Sequence, residues 1–436
     1  MIFFFYLLIA VVLIITLTSR FKFNPAISLL IAAFFLGLIL ELKLVQILIL
    51  ILDGIWNSVK GIGLIILFSC IIGQFLKESN SIKNFGNLLI KSLKSNSILS
   101  LNILGLFIGT VVFCDSAFLI LNGISRSIAS TSSISLSSLN LSLAGGLYSS
   151  HTLIPPTPGP IAAISNFNLL DNIGMVMILG VIVAIPSSII SYLFAKKIMV
   201  KSKLINIKTP QKIIKPHILA YLSIIIPLGL ISLNTLTNLV DKNEFILLQN
   251  TFRLIGNPIS ALLLGSIFSY LIPRENRNNI EIIKNSFKDF IPIILITSSG
   301  AGFANIIKSS EIVSLLPGLM NIESSDIIYI CIIGFICSSI IKTSQGSSTS
   351  SIIIVSAILF PMIQDFKLES IELSMIILSI GAGSMMISHV NDSYFWIVLK
   401  KTKLNLLDGI KYYTLMTTIQ SLGTLLVIIM LISIFL

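Results

Sequence analysis

Long apolar runs alternate with short polar interruptions from one end of the chain to the other. A helix needs about 17 to 25 predominantly apolar residues to cross a bilayer. The pattern predicts apolar helical segments at 1–18, 24–40, 61–76, 98–121, 138–150, 173–195, 217–237, 252–272, 289–307, 326–341, 350–363, 373–390 and 412–436. We therefore predict an all-α polytopic membrane protein with roughly 12 transmembrane helices.

Some of these segments are too short to cross fully, notably 138–150 and 350–363. We interpret them as half-helices or as arms of re-entrant hairpins, which are tolerated at membrane depth only where protein or a cavity covers them. The stretch SSHTLIPPTPGPIAA, residues 149–163, contains four prolines, and proline cannot continue a regular helix. We interpret it as a helix break beside a cavity, with carbonyl and hydroxyl groups left free and His151 at its edge.

The composition agrees with a membrane protein. Of the 436 residues, 55% are hydrophobic and 11% are charged, whereas soluble proteins carry about 25% charged residues. We therefore expect no water-soluble domain of any size. The first apolar segment lacks a basic leader and a small-residue cleavage site, so we interpret it as a membrane helix rather than a signal peptide.

The net charge of +11 follows the predicted topology. Residues 196–215 contain seven lysines and no acidic residue between two apolar segments, which by the positive-inside rule indicates a cytoplasmic loop. The basic stretches at 20–22 and 77–94 are expected on the same side, which would place the N-terminus outside. The charge therefore indicates membrane orientation and not a nucleic-acid partner.

The lysine-rich loop at 196–216 divides the chain into two similar halves, 1–195 and 217–436. GGLYSSH in the first half ends at His151, and GSMMISH in the second half ends at His389. A polar break precedes each of these stretches, FCDSAF around Asp115 and KTSQGSSTSS from Lys342. Paired interruptions in two halves are typical of secondary transporters built from repeats, whose binding site lies between the repeats near the midplane.

Charged and polar residues within apolar segments are costly, so the few present are functional candidates. They are Asp115, His151, Lys342, His389 and Asp392. Each also has a structural interpretation. A carboxylate can cap a helix, a histidine can be a hydrogen-bonded packing residue, and a lysine can extend from a helix end to the interface.

Two further features bear on the kind of site. The four cysteines have no metal-ligand spacing, so we interpret them as packing residues without disulfides, and we expect no metal or organic cofactor. TSSGAGFAN, residues 297–305, fits either a third anion-binding break or close helix packing, because small residues mediate contacts between membrane helices. Both interpretations of this stretch stay open.

Four stretches resemble the gluconate permease (GntP-type) family, within the superfamily of ion-coupled carboxylate transporters. They are FCDSAFLIL around Asp115, HTLIPPTPGPIAA from His151, SQGSSTSS from Ser344 and SHVNDSYFWIVLKK from Ser388. ITSSGAGFANIIKSSEI is a weaker fifth. This chain has Lys-Thr-Ser before its Gln-Gly pair, where the family commonly has Arg or Val-Ala.

The resemblance implies a proton-coupled importer of small hydroxy- or amino-carboxylates, such as gluconate, related sugar acids, glycerate or D-serine. It also implies a multi-pass protein of the bacterial inner membrane, with two inverted repeats and re-entrant hairpins. The oligomeric state, including a homo-oligomer, stays open.

Within this framework we predict two groups of site residues. Hydroxyls and half-helix N-termini, which carry free N–H groups, suit a carboxylate; the expected substrate-binding residues are Ser150, His151, Thr152, Thr157, Gly159, Gln345, Gly346, Ser347, Thr349 and Asn391. The expected proton-coupling residues are Asp115, His151, His389 and Asp392. Histidine suits proton transfer because its unperturbed pKa is about 6.5.

Three alternatives remain at the level of sequence. Ser, Thr, Asn and carbonyl oxygens could form a sodium site, which would make the coupling ion sodium. Ser150, His151 and Asp115 are the residue types of a hydrolase triad, although the sequence has no nucleophile elbow. A channel could also use repeated half-helices, but it would allow only downhill movement.

Overall fold

The computed structural model describes residues 2–92, 96–132, 134–198, 216–238, 251, 253–274, 278–309, 327–366 and 368–435. All regular secondary structure within these ranges is helical, which confirms the predicted all-α class. Most of the predicted basic loop at 196–216 lies outside the described residues, as does part of the basic stretch at 77–94.

Among the described residues, nine α-helices precede the predicted loop. They are α1 (Ile2–Ser19), α2 (Pro25–Ile39), α3 (Leu44–Glu78), α4 (Ser81–Ser92), α5 (Ser97–Ile108), α6 (Cys114–Thr131), α7 (Leu136–Leu153), α8 (Pro158–Asn166) and α9 (Ile173–Lys197).

The described part of the second half contains α10 (Ile218–Asn238), α11 (Pro258–Tyr270), α12 (Asn279–Lys308), α13 (Ile327–Gln345), α14 (Ser348–Ile363), α15 (Ser370–Gly383), α16 (Ser393–Thr402) and α17 (Leu415–Phe435). A π-helical stretch, Gly409–Thr414, leads into α17.

Seven described helices are long and apolar enough to cross a membrane. They lie at Leu44–Glu78, Leu170–Lys197, Ile218–Thr235, Asn279–Lys308, Ile327–Gln345, Ser348–Phe366 and Leu406–Ile434. Five shorter apolar helices accompany them. The polytopic membrane fold is thus confirmed, whereas the number of 12 transmembrane helices stays a prediction.

Several predicted boundaries were wrong for identifiable reasons. The segment predicted at 61–76 is the second half of α3, which begins at Leu44; Asp53 and Lys60 interrupt the apolar pattern but lie exposed on the helix surface without ending it. The segment predicted at 98–121 is divided between α5 and α6, and the one predicted at 373–390 ends at Gly383. The polar FCDSAF stretch marks the first of these breaks, but hydropathy does not give the exact residue at which either helix ends.

Side-chain caps fix the positions at which several helices begin. Asn96 accepts a hydrogen bond from the backbone N–H of Leu99 and starts α5, and Ser135 starts α7 in the same manner. Ser347 accepts from Ser350 at the start of α14. Such caps satisfy N–H groups that have no partner within the helix. The residues just before α14 and α16 therefore fix where these helices begin, and they also face the cavity.

The two halves use their broken elements in matching ways. In the first half, α5 and α6 both pack against α7; in the second half, α13 and α14 both pack against α15. The packing between the halves is reciprocal, because α8 packs against α14 while α16 packs against α6. This arrangement agrees with two repeat halves, a division that itself stays a prediction.

The longest helices, α3 and α12, form a pair beside these broken elements. Their contact is close: a Cβ atom on Gly54 would lie 2.6 Å from the carbonyl oxygen of Ala301. The hydroxyls of Thr297 and Ser299 donate to carbonyls of their own helix. The TSSGAGFAN stretch therefore mediates helix packing here, as small residues do in membranes.

Candidate functional site

The interrupted helices line a cavity of about 350 Å³. Its wall consists of residues from α6, α7, α12, α14 and α16, together with the residues just before three of them: Phe113, Cys114, Asp115, Ser116, Tyr148, His151, Lys288, Asp289, Pro292, Ile293, Gly346, Ser347, Ser348, Thr349, Asp392, Ser393 and Tyr394. Small-molecule sites range from about 300 to 1,000 Å³, so this volume suits a small substrate.

Three helices begin at this wall: α6, α14 and α16. The first turn of a helix carries N–H groups without intrahelical partners and the positive end of the helix dipole. Helix N-termini therefore favour anions. One of the three belongs to the first half of the chain and two belong to the second half, so the cavity lies between the halves.

A buried ion pair joins Asp392 of the cavity wall to Lys342, which is not part of the wall. The Nζ atom of Lys342 is 2.6 Å from Oδ2 of Asp392, and the two side chains are 1% and 5% exposed. Lys342 also donates to the carbonyl oxygen of Gly346 at 3.2 Å, and Ser388 donates to the same carboxylate oxygen of Asp392. Lys342 is therefore paired inside the protein and does not extend to the membrane interface.

The Asp392 carboxylate also starts a helix. Its Oδ1 atom accepts a hydrogen bond of 2.9 Å from the backbone N–H of Tyr394, which caps α16. The carboxylate thus has an ammonium, a hydroxyl and a backbone donor as partners. Buried charges persist when their pairing and hydrogen bonding are this complete.

Asp115 and His151 have weaker partners. Ser393 Oγ lies 3.4 Å from Asp115 Oδ2, and Cys114 Sγ lies 3.5 Å from the other carboxylate oxygen. Within the described ranges no basic side chain forms an ion pair with Asp115. His151 Nε2 lies 3.4 Å from Thr349 Oγ1, and its Nδ1 atom has no hydrogen-bond partner among the described residues.

The structure places six of the predicted site residues on the cavity wall: Asp115, His151, Gly346, Ser347, Thr349 and Asp392. His151 and Thr157 also line a smaller adjoining void, of about 20 Å³. The wall residues come from both halves, as the sequence predicts for a site between repeats. Their roles in binding and coupling stay predictions.

The remaining first-half candidates do not line the main cavity. The hydroxyls of Ser150 and Thr152 donate to carbonyls of α7, and Thr157 donates to the carbonyl of Ile154 at 2.5 Å. Gly159 packs against Ile352, where a Cβ atom would approach to 2.7 Å. The hydroxyls of the proline break are thus bonded to the backbone rather than free, which corrects that part of the prediction.

The remaining second-half candidates lie beside the cavity. His389 Nε2 is 3.0 Å from the carbonyl oxygen of Thr343, and Asn391 donates to the same oxygen at 2.5 Å. These contacts join the last turn of α13 to the break before α16. The side-chain amide of Gln345 is buried and has no hydrogen-bond partner among the described residues.

Sequence reasoning missed several wall residues. Tyr148 bonds to the hydroxyl of Ser348 at 2.6 Å and so links α7 to α14, but an uncharged residue in an apolar helix gave no signal. Lys288 and Asp289 lie on the wall from α12, and Gln74 donates to Asp289 at 2.5 Å. The adjacent opposite charges at the start of the predicted 289–307 segment were the available signal.

Comparison with known proteins gives a consistent result. The model of the GntP family of permeases matches residues 2–435. The chain is 27% identical to the gluconate permease of Pseudomonas aeruginosa, over 97% of this chain and 96% of that protein. It is 27% identical to the D-serine transporter DsdX of Escherichia coli K12, over 96% of each chain. It is 24% identical to the Gnt-II system L-idonate transporter of the same bacterium, over 95% of this chain and 96% of that one.

The fold also has a solved counterpart. The YdaH transporter of Alcanivorax borkumensis matches with a TM-score of 0.58 and 13% identity, over 90% of this chain and 89% of that one. At this identity the likeness concerns the fold alone. The family match covers nearly the whole chain and excludes the hydrolase alternative. The chain belongs to the GntP permease family, and it is a multi-pass transporter of the bacterial inner membrane.

Proposed function

We propose that this permease imports gluconate, or a related small hydroxy- or amino-carboxylate, together with protons. One observation carries the proposal: three helix N-termini meet at a cavity of about 350 Å³ that also contains Asp115 and His151. The site thus combines positive ends of helix dipoles, which attract a carboxylate, with side chains that can accept a proton. Relatives named for gluconate, D-serine and L-idonate support this substrate class.

The substrate carboxylate is expected at the start of α14. Ser347 and Thr349 supply hydroxyls there, and the backbone of Gly346 lies on the cavity wall beside them. Ser393 adds a hydroxyl at the start of α16. Donors on a preformed backbone bind an anion with little loss of ordering entropy.

Coupling to protons follows from the position of Asp115. An ionised Asp115 would repel a substrate carboxylate in the same cavity, because like charges interact strongly where water is scarce. A proton on Asp115 removes this repulsion and leaves a hydroxyl that can donate to the substrate. Protonation of Asp115 therefore strengthens substrate binding. By linkage, substrate binding increases the affinity of Asp115 for a proton by the same factor. His151 is expected to contact the substrate from the opposite half-helix.

The test is uptake of labelled gluconate into proteoliposomes with an imposed inward proton gradient. Unlabelled glycerate, D-serine, lactate and citrate serve as competitors, and choline replaces sodium in a parallel series. We expect accumulation that a protonophore abolishes and that sodium does not affect. Accumulation that requires sodium would overturn proton coupling, and downhill equilibration alone would indicate a channel. If gluconate is not taken up and no competitor has an effect, the proposed substrate class is overturned.

Variants test the assignment of residues in the same assay. Asp115→Asn and His151→Ala are expected to abolish accumulation without reducing the amount of protein in the membrane. Normal accumulation by both variants would contradict their roles.

A further inference from the structure

The ammonium group of Lys342 has the surroundings of a bound cation. It contacts a carboxylate oxygen of Asp392 at 2.6 Å and the carbonyl oxygen of Gly346 at 3.2 Å. The ring centroid of Tyr148 lies 5.9 Å from Nζ, within cation–π range. Its side chain is 1% exposed, and Lys342 is not part of the cavity wall. The charge therefore acts on the protein and does not contact the substrate directly.

The two oxygens belong to different backbone breaks. Gly346 lies between α13 and α14, and Asp392 lies between α15 and α16. The two breaks touch, because a Cβ atom on Gly346 would lie 2.2 Å from the carbonyl oxygen of Asn391, and Gly346 has a φ of +80°. Without a cation between them, a buried carboxylate and a carbonyl dipole would face each other with no compensating charge, which is unfavourable in a low dielectric.

The first half has no such device. Its breaks, residues 109–113 and 154–157, contain no charged residue. Thr157 occupies the cap position of α8 that Asp392 occupies in α16, and it donates only to the carbonyl of Ile154. The ammonium group is therefore specific to the second half and is not required by the shape of a helix break as such.

We propose that the Lys342 ammonium group is a built-in cation, which holds the two second-half breaks together and thereby positions the N-termini of α14 and α16 at the cavity. It occupies a cation site made of the Asp392 carboxylate and the Gly346 carbonyl. A small external cation can fill this site when the lysine side chain is removed. Lys342 is a positioning residue in this proposal. The gluconate counterflow measured for the Lys342 variants rests on the proposed function.

The experiment compares Lys342→Ala, which empties the site, with Lys342→Met, which fills the space without charge. Lys400→Ala is the matched control, since Lys400 lies exposed near the end of α16. Each purified protein is heated in detergent with methylammonium, ethylammonium or sodium chloride, and tetramethylammonium chloride controls for ionic strength. Gluconate counterflow is measured in parallel, because it needs no imposed proton gradient and amines would collapse one.

The proposal predicts that methylammonium or ethylammonium raises the melting temperature of Lys342→Ala in a saturable manner. The same amines should leave the wild type, Lys342→Met and Lys400→Ala unchanged. Counterflow by Lys342→Ala should fall about a hundredfold, because a small displacement of the helix N-termini that form the site can cost this much, and it should recover at least in part with the amine. Absence of any cation-specific response by Lys342→Ala would overturn the proposal.

A double variant, Lys342→Met with Asp392→Asn, keeps the test valid if Lys342→Ala does not fold. It removes both charges, so it leaves no unpaired carboxylate and should fold. The proposal predicts that its counterflow stays low because no cation holds the two breaks in position; wild-type counterflow by this variant would contradict it. If the wild type does not exchange gluconate at all, the proposed function fails, and cation-dependent melting still decides the role of Lys342.

Discussion

The first-half wall and the second-half wall of the cavity each contain an aspartate at the start of a helix, Asp115 at α6 and Asp392 at α16, but their polar groups are partnered differently. On the first-half side, His151 Nδ1 has no hydrogen-bond partner among the described residues, and the Asp115 carboxylate has hydrogen-bond contacts at 3.4 Å to Ser393 and 3.5 Å to Cys114. On the second-half side, the Asp392 carboxylate has three partners, including the ammonium of Lys342 at 2.6 Å.

We infer from this difference that the two halves have different roles. A carboxyl group without a cationic partner can gain or lose a proton without leaving a counter-charge buried and unpaired. A carboxylate that is paired with a buried ammonium cannot change its charge in this way, because its protonation would leave the ammonium buried without a counter-charge. We therefore expect Asp115 to change its charge during transport, while Lys342 and Asp392 keep theirs.

The largest effect is expected for Lys342→Met. Removing the ammonium leaves Asp392 buried and unpaired, which should lower the free energy of unfolding by about 3 to 5 kcal/mol and abolish uptake. Lys342→Arg keeps the charge and should retain most of the stability. Chemical or thermal unfolding in detergent measures both variants. Equal stability of Lys342→Met and the wild type would refute the structural role of the pair.

Asp115→Asn should affect transport but not stability. Because the carboxylate has no ionic partner in the described part of the chain, its loss should change the free energy of unfolding by less than about 1 kcal/mol. Accumulation of substrate should fall by about a hundredfold, equivalent to about 2.7 kcal/mol, whereas counterflow should continue. Loss of folding in this variant would show that the first-half carboxylate is structural, which would remove the contrast between the halves.

Gly346→Ala tests the contact between the second-half breaks. The backbone there has a φ of +80°, and a Cβ atom would lie 2.2 Å from the carbonyl oxygen of Asn391. We expect a loss of about 1 to 3 kcal/mol in unfolding free energy and weaker substrate binding. Gly123→Ala is the control, because a Cβ atom there meets nothing within 4 Å; it should raise stability by about 0.5 to 1 kcal/mol. Similar destabilisation by both variants would contradict this explanation.

The smallest effect is expected for Thr157→Val. The hydroxyl of Thr157 bonds to the carbonyl of Ile154 and does not reach the main cavity. Its loss should cost about 1 kcal/mol and change the apparent substrate affinity by no more than about twofold. Michaelis–Menten analysis of uptake measures this. A tenfold loss of affinity would place Thr157 in the binding site, as the sequence alone predicts.

The sequence predicted the class of fold and the neighbourhood of the site better than the contacts within it. Hydropathy and the prolines of residues 149–163 marked the membrane fold and one break. Polar residues within apolar segments identified Asp115, His151 and Asp392, because charge is costly in such segments. All three lie on the cavity wall.

Other features depend on tertiary contacts that no local pattern encodes. From the sequence, the Lys342 side chain could extend to the membrane interface or pair with a buried group. Only the position of Asp392, fifty residues later in the chain, shows that it is paired. From the sequence, the hydroxyls of Ser150 and Thr152 could face the cavity or bond to their own helix. In the structure, they donate to carbonyl oxygens of α7. Tyr148 became a site residue only because α14 packs against it.

The central claim is that the transported proton is carried on the first-half side, by Asp115, and not by the buried pair of the second half. The most direct measurement is the internal pH of proteoliposomes loaded with a pH-sensitive dye, after gluconate is added outside. The wild type should acidify the interior as substrate enters. Asp115→Asn should exchange substrate in counterflow without any acidification. Substrate-dependent acidification by Asp115→Asn at the wild-type rate would contradict the claim.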